Sequence, residues 1–351
     1  MASPSNRPDA ARPAMIPPVA APAFLARHGW AGARIEPLAG DASFRRYFRV
    51  LDGERTAVLM DAPPETEDSR PFLSVGEVLS ARGFSSPQVL GVDLDAGLVL
   101  LEDFGDARVT PVLAASPERE AAIYATAIDL LAELHEQPAP PLAPYDETEM
   151  LREVRLFADW YLPAAGLAEA RGFDAAWRAA WQAVIAATAS APVLTLRDYH
   201  ADNLMLLDRP GVRSLGLLDF QDALAGHPAY DLVSLLQDAR RDVPVVLEAA
   251  MIDRYAAARR VNDAAAFRAA YEVLGAQRNT KIIGIFTRLR DRDGRSGYVE
   301  RLPRLWGLLD RNFAHPALAQ VKAWFDANVP VSLRSNLDPM TISQPATAAA
   351  R

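Results

Sequence analysis

The sequence holds 351 residues, 50% hydrophobic and 23% charged, with no cysteine. It can bury a sizeable core, and disorder, disulfide scaffolds, thiolate nucleophiles and cysteine-ligated zinc are excluded. Its 45 acidic against 37 basic residues give a net charge of -8, which argues against a broad nucleic-acid or anionic-membrane surface. Two of the basic residues are lysines, Lys281 and Lys322, and the rest are arginines; the five histidines are too scattered for a metal cluster.

Residues 1–23 are rich in Ala and Pro, and Pro4, Pro8, Pro13, Pro17, Pro18 and Pro22 break every apolar run, so the stretch reads as a flexible tail, neither a signal-peptide core nor a membrane span. With no long uninterrupted apolar run elsewhere, a cytoplasmic protein is expected. Residues 33–38, 43–51 and 55–60 alternate or run apolar around Gly40-Asp41 and Asp52-Gly53, predicting a three-strand meander. A helix over 71–82 follows, closed by Gly83, and strands near 88–92 and 97–102 complete five. After Gly105 the period lengthens, and helices are predicted from Pro117 through Leu134 and over 147–164, 173–189, 228–240, 245–259, 264–290 with a break near Gly275, and 299–327. Short apolar strands at 192–197, 204–207 and 214–219 interrupt this helical part, and 331–351 reads as a tail. The expectation is an α+β, protein-kinase-like fold: a small five-stranded antiparallel N-lobe (24–105) and a larger, mostly helical C-lobe (106–330). The cleft between such lobes is the default site.

The chemistry lies among those short strands. In LRDYHADNLMLL (196–207), Asp198 follows one strand and Asn203 precedes the next; phosphoryl transfer to a hydroxyl needs a carboxylate to orient the hydroxyl and a neutral oxygen ligand for magnesium. Asp219 in SLGLLDFQDALAGHPAYDL (214–232) is a second carboxylate able to bridge Mg2+ and nucleotide phosphates, because magnesium demands hard oxygen ligands. Asp231, behind Gly226, His227 and Pro228, is expected to cap its helix and hold the catalytic loop. Singly, each Asp is an ordinary turn or cap residue; their order along this path of strands and helix carries the reading. His200 stands ready to orient Asp198, pack the loop or touch an acceptor, and Asp202 reads as an exposed turn residue.

Asp103-Phe104-Gly105 spells the metal motif of protein kinases but precedes Asp198, the wrong order. The stretch 98–105 instead suits a crossover between lobes, with Glu102 and Phe104 as candidate nucleotide contacts. The turn LAGDASFRRYFRV (38–50) offers Gly40, Asp41, Ala42 and Ser43 as small residues whose amides can approach phosphate, followed by Arg45 and Arg46. It lacks a multi-glycine spacing, and the chain has no Walker motif.

These motifs resemble the aminoglycoside phosphotransferase and choline kinase group of small-molecule kinases, at Asp198, Asn203, Asp219 and Asp231. GDASFRRYF (40–48), MDAPPE (60–65), LEDFGD (101–106) and QRNTKIIGIFTRL (277–289) more closely resemble bacterial anomeric N-acetylmuramate/N-acetylglucosamine kinases of cell-wall recycling. Covering about residues 24–328, the resemblance implies ATP and Mg2+ as cofactors, an amino sugar as acceptor, a sugar 1-phosphate as product, and no obligate protein partner. Kinase-like folds place a phosphate-binding lysine on the third strand; here Met60 stands in its place, so Arg45, Arg46 and Arg49 become the candidate cations. Glu77 lies on the helix that would pair that lysine. For an acidic sugar, Arg278, Asn279 and Lys281, with Gln277, Arg288 and Glu153, are the candidate substrate contacts. An aminoglycoside, choline or homoserine acceptor would keep the catalytic assignments, and a nucleotide-binding pseudokinase is the remaining alternative.

Overall fold

The computed structural model describes residues 15–38, 44–168, 171–188, 192–334 and 337. Two compact units emerge: the described chain up to Val109 together with Leu204–Asp222, and Thr110–Asn203 together with the chain from Ala223 onward.

In the first unit β1 (Arg34–Pro37), β2 (Arg46–Asp52), β3 (Arg55–Asp61), β4 (Val89–Asp93) and β5 (Leu98–Glu102) form the expected antiparallel sheet, in the order β1-β2-β3-β5-β4. Gly53, at φ 59°, turns β2 into β3 with Asp52 facing Arg55. Phe48 and Val50, Ala57 and Leu59, and Leu98 and Leu100 alternate along their strands, so one sheet face is apolar. Phe24 and Leu25 of α1 (Ala21–Arg27) join the same buried cluster. This corrects the tail reading of residues 1–23 at its inner edge: Pro22 sits in the first turn, where a missing N–H costs nothing, and a helix starts inside the stretch read as a flexible tail. Helix α2 (Arg70–Ala81) uses Pro71 in the same way. The hairpin of Leu204–Leu206 with Leu215–Leu217 also belongs to this unit; Ser85 bridges to Gly216 and Arg108 to Met205.

The second unit contains α3 (Val109–Ala115, all but its first residue), α4 (Glu120–Leu134), α5 (Glu147–Leu156), a π-helical turn at Phe157–Tyr161 leading into α6 (Leu162–Ala164), α7 (Phe173–Thr188), α8 (Ala229–Leu236), α9 (Val245–Ala258), α10 (Ala264–Asp291), α11 (Leu302–Asn312) and α12 (Ala319–Asn328). Helix α3 and the strand Leu224–Gly226, which pairs with Val193–Thr195, were not anticipated. Helix α10 is continuous, correcting the break expected near Gly275. A Cβ on Gly275 would stand 2.8 Å from Asn312 Nδ2 and 2.9 Å from Gln237 Oε1, and one on Gly284 would stand 2.3 Å from the Leu156 carbonyl carbon. Both glycines serve close approach of neighbouring elements. The single helix expected over 299–327 is divided instead, because Pro316 holds His315 extended between α11 and α12. The stretch read as a C-terminal tail is packed at its start: Arg334 is buried and donates to the carbonyls of Phe325 and Val329 at 3.1 Å. Among the described residues no helix is long and apolar enough to cross a membrane.

Candidate active site

The loop carrying Asp198 is held in an unusual shape. Arg197, after the strand Val193–Thr195, sits at φ 70°, a conformation that costs a non-glycine residue about 1–3 kcal/mol unless its surroundings enforce it. The Asp231 carboxylate enforces it, accepting the backbone N–H groups of Leu196 at 2.7 Å and Arg197 at 2.8 Å. Asp231 is the third residue of α8, beside that helix's N-terminal dipole, and is fully buried. It therefore braces the loop as expected but does not cap its own helix, where Pro228 takes the N-cap position. Burial raises the Asp231 pKa to about 7, opposed by the two backbone hydrogen bonds and reinforced by the negative charge of Asp198.

From Arg197 the loop winds through tight turns to Asn203. Asp198 N–H donates to Leu196 O, His200 N–H to Asp198 O, and Asn203 N–H to His200 O. Tyr199 ties the loop to α4 through its hydroxyl and Ala127 O at 2.8 Å. The Asp198 side chain is 41% exposed, open to an incoming hydroxyl. Asn203 Nδ2 donates to Asp198 O at 3.0 Å, which makes Oδ1 the end suited to a cation. His200 is buried, with Nε2 at 3.4 Å from Asn203 Nδ2; it packs and orients the loop, which corrects its expected contact with acceptor. Asp202 pairs with Arg240 at 3.5 Å.

Beside this loop α5 and α10 share a buried charged network. Glu153, fully buried, accepts on Oε1 from Lys281 Nζ at 2.5 Å and from Arg197 Nη2, and on Oε2 from Tyr145 Oη at 2.5 Å and Gln277 Nε2 at 3.0 Å. The cations of Lys281 and Arg197 oppose the burial that would otherwise raise its pKa, and Glu153 stays below the usual glutamate value. With both oxygens committed and none of its surface exposed, Glu153 is a structural hub, correcting its expected substrate contact. Asn279 is likewise buried, donating to Gln237 Oε1 at 2.9 Å and Asn312 Oδ1 at 3.0 Å, and it too is withdrawn from the candidate acceptor contacts. Arg278 is buried with Nη2 3.9 Å from Asp198 Oδ1. Lys281 keeps a small exposed fraction. Sequence reasoning passed over Arg197 and Tyr145; the one available signal was that Arg197 directly precedes Asp198.

The first unit holds the other candidates. Asp219 lies at φ 60° two residues after Leu215–Leu217, and Gln221 Nε2 donates to its Oδ1 at 2.7 Å. Both Arg197 and Asp219, two of the three non-glycine residues at positive φ among those described, thus flank or form the candidate chemistry. Arg45 pairs with Glu67 at 3.3 Å and Arg46 with Asp61, Nε to Oδ2 at 2.7 Å. Arg49 departs from the phosphate role considered for it: it grips Asp103 at 2.8 Å and Asp106 at 2.9 Å, stapling the turn after β5. Asp103 also accepts Gly105 N–H, so the misplaced D-F-G is a turn staple. Glu102 pairs with Arg209, whose guanidinium lies 5.4 Å from the Phe104 ring centre, an anchor that sequence did not suggest. Met60 is fully buried, and Glu77 is exposed on α2. Gly40, Asp41, Ala42 and Ser43 lie outside the described residues.

The candidate metal ligands, one in each unit, are of the chemical kind magnesium takes. Asn203 and Asp219 offer hard oxygens, and no group of three His, Cys, Asp or Glu gathers among the described residues. Each of the two is the kind of oxygen ligand taken by a cation that completes its coordination with water and substrate phosphates.

A strand-rich unit, a helical unit and a braced Asp–Asn loop are the parts of a protein-kinase-like small-molecule phosphotransferase. The sequence signature of the phosphotransferase enzyme family matches residues 34–272, and the chain belongs to that family. It is 41% identical to the N-acetylmuramate/N-acetylglucosamine kinase of Caulobacter vibrioides, over 89% of this chain and 96% of that one. Among solved structures, a choline/ethanolamine kinase family protein from Mesorhizobium loti shares the fold at TM-score 0.55 and 16% identity, covering 84% of this chain and 94% of its own. An ADP-bound aminoglycoside phosphotransferase does so at 0.51 and 14%, covering 79% and 92%.

Proposed function

We propose that this enzyme transfers the γ-phosphoryl group of ATP to the anomeric hydroxyl of N-acetylmuramate and N-acetylglucosamine, giving the α-1-phosphate. The observation that carries the reading is the near full-length, 41% identity to a kinase named for both sugars. The open Asp198 carboxylate, held on a braced loop, supports it.

In this reading Asp198 accepts a hydrogen bond from the anomeric hydroxyl and aligns it with the γ-phosphorus, taking the proton as the new P–O bond forms and the bond from the γ-phosphorus to the bridging oxygen breaks, releasing ADP. An anomeric hydroxyl is more acidic than an ordinary alcohol, so an aspartate needs no great basicity. Asn203 and Asp219 would hold Mg2+, which supplies charge neutralisation on the phosphates. Arg45 and Arg46 take the part of the lysine absent from β3. Of the acceptor candidates, Lys281 retains exposed surface beside Glu153 and is the cation offered to the lactyl carboxylate of N-acetylmuramate. Use of ATP puts the reaction in the cytoplasm, and the product class suits re-use of cell-wall sugars.

The test is ADP release with Mg-ATP and, separately, N-acetylmuramate, N-acetylglucosamine, kanamycin and choline. Turnover with both sugars is expected, and phosphorus NMR should find the product phosphate on C1. Turnover with kanamycin or choline alone, or phosphate on C6, overturns the proposal.

A further inference from the structure

Arg278 is a buried cation whose guanidinium is incompletely hydrogen-bonded among the described residues. It lies on α10, 2% exposed, and its Nη1 is buried with no hydrogen-bond partner among the described residues. Among the described residues its ion pair is to Asp198 Oδ1, and at 3.9 Å from Nη2 this is too long to be a hydrogen bond. Burying a guanidinium costs several kcal/mol of hydration, and a buried polar group left unsatisfied calls for a functional or structural reason. Packing alone would have been served by Leu or Met on this helix.

The surrounding charges supply the reason. Asp231 accepts the Arg197 N–H directly before Asp198, and the negative charges of Asp198 and Asp231 oppose one another. Arg278 acts on Asp231 with the opposite sign, and on the buried Asp238 as well. One guanidinium thus serves carboxylates on two segments, the catalytic loop and α8 with the residues that follow it. An arginine already doubly hydrogen-bonded to one of them would be tied to that segment alone.

We propose that Arg278 is a positioning residue for phosphoryl transfer: it draws Oδ1 of Asp198 toward α10, offsets the repulsion between Asp198 and Asp231, and so presents Oδ2 to the acceptor hydroxyl. Arg278 thereby acts through Asp198 without touching the sugar, in place of the substrate contact that its sequence position suggested. The proposal rests on the reading that Asp198 orients the acceptor.

Steady-state kinetics of Arg278→Met, Arg278→Lys and Arg278→Ala test it. Displacing a reacting group by about 1 Å costs on the order of 100-fold in rate, so Arg278→Met should lose about that much in kcat with both KM values little changed. Arg278→Lys should recover part of the loss, and guanidinium ion added to Arg278→Ala should restore turnover by filling the space left. A raised sugar KM at unchanged kcat would make Arg278 a sugar contact and overturn the proposal; so would unaltered kcat, or a loss that neither lysine nor guanidinium relieves in a variant whose circular dichroism is that of the wild type. Should Arg278→Met fail to fold, the lysine variant carries the comparison. The wild-type acceptor panel is read separately: if another acceptor is turned over, the sugar assignment fails and the same kcat comparison is made on that acceptor, or on ADP release to water if none is used.

Discussion

Asp231 holds Arg197 by its backbone: the carboxylate takes the N–H of Arg197 at 2.8 Å and that of Leu196 at 2.7 Å, fixing a left-handed residue directly before Asp198. Asp231→Asn sets an amide N–H against one of these donors. A buried donor left unsatisfied costs about 1–3 kcal/mol, so a urea melt should lose that much stability, and hydrogen exchange should quicken at the two amides. Unchanged exchange there would show that the brace lies elsewhere.

Asp198→Asn keeps the shape of the side chain and removes the proton acceptor. Turnover should fall by at least about 100-fold, with ADP affinity unchanged, as measured by ADP release and calorimetry.

Glu153→Gln leaves Arg197 and Lys281 to share a neutral partner. Breaking a buried pair in this way costs about 3–5 kcal/mol, and adding Lys281→Met should recover part of it. A double-mutant cycle by urea unfolding measures the coupling, and strict additivity would rule out the hub.

Gly284→Ala drives a methyl group to 2.3 Å from the Leu156 carbonyl carbon, whereas Gly297→Ala meets nothing within 4 Å. The first should cost about 1–3 kcal/mol and the second next to nothing, compared in the same denaturation experiment.

Two buried histidines tie stability to pH. Burial lowers the pKa of His227 to about 4 and of His135 to about 3, below the ordinary 6.5. Between about pH 6.5 and 4 the unfolded chain takes up protons that these imidazoles refuse in the fold, so their contribution is complete above 6.5 and lost as pH falls. Asp231, raised to about 7, has the opposite sign: the fold takes its proton first, stabilising as pH falls toward 4. Two histidines against one aspartate leave a net loss from these groups on acidification. His227→Asn, which keeps an acceptor for Ala229 N–H, should flatten the slope of unfolding free energy relative to wild type by about 1.4 kcal/mol per pH unit, read from urea melts at several pH values.

Much of this was legible in the sequence. Strands β2, β3 and β5 announce themselves as short alternating or apolar runs bounded by Gly turns, and α2 by Pro71 and Gly83, because both signals are local. Asp198, Asn203, Asp219 and Asp231 were readable as a set, since their order follows the chain's path. Helix α1 was missed because Pro22 breaks a helix in most positions and begins one only in the first turn. The break expected near Gly275 failed for a related reason: a glycine in a helix reports either flexibility or close packing, and which one depends on Asn312 and Gln237, far away in sequence.

The sequence by itself determined which chemical groups are present, their order, and the absence of any lysine before Lys281. Only the tertiary structure decided how they are spent. Glu153 and Asn279 have the side chains of sugar ligands, yet packing buries both and commits Glu153's two oxygens and Asn279's amide nitrogen to their neighbours in the fold. Arg278 reads as one more cation on a helix face until its guanidinium is found buried beside Asp198. The reason is physical: charge and hydrogen-bonding capacity belong to a residue type, whereas desolvation and partner choice belong to the elements packed around it, and for Asp231, Glu153 and Arg278 those elements lie 34, 124 and 80 residues away along the chain in the contacts to Arg197, Gln277 and Asp198.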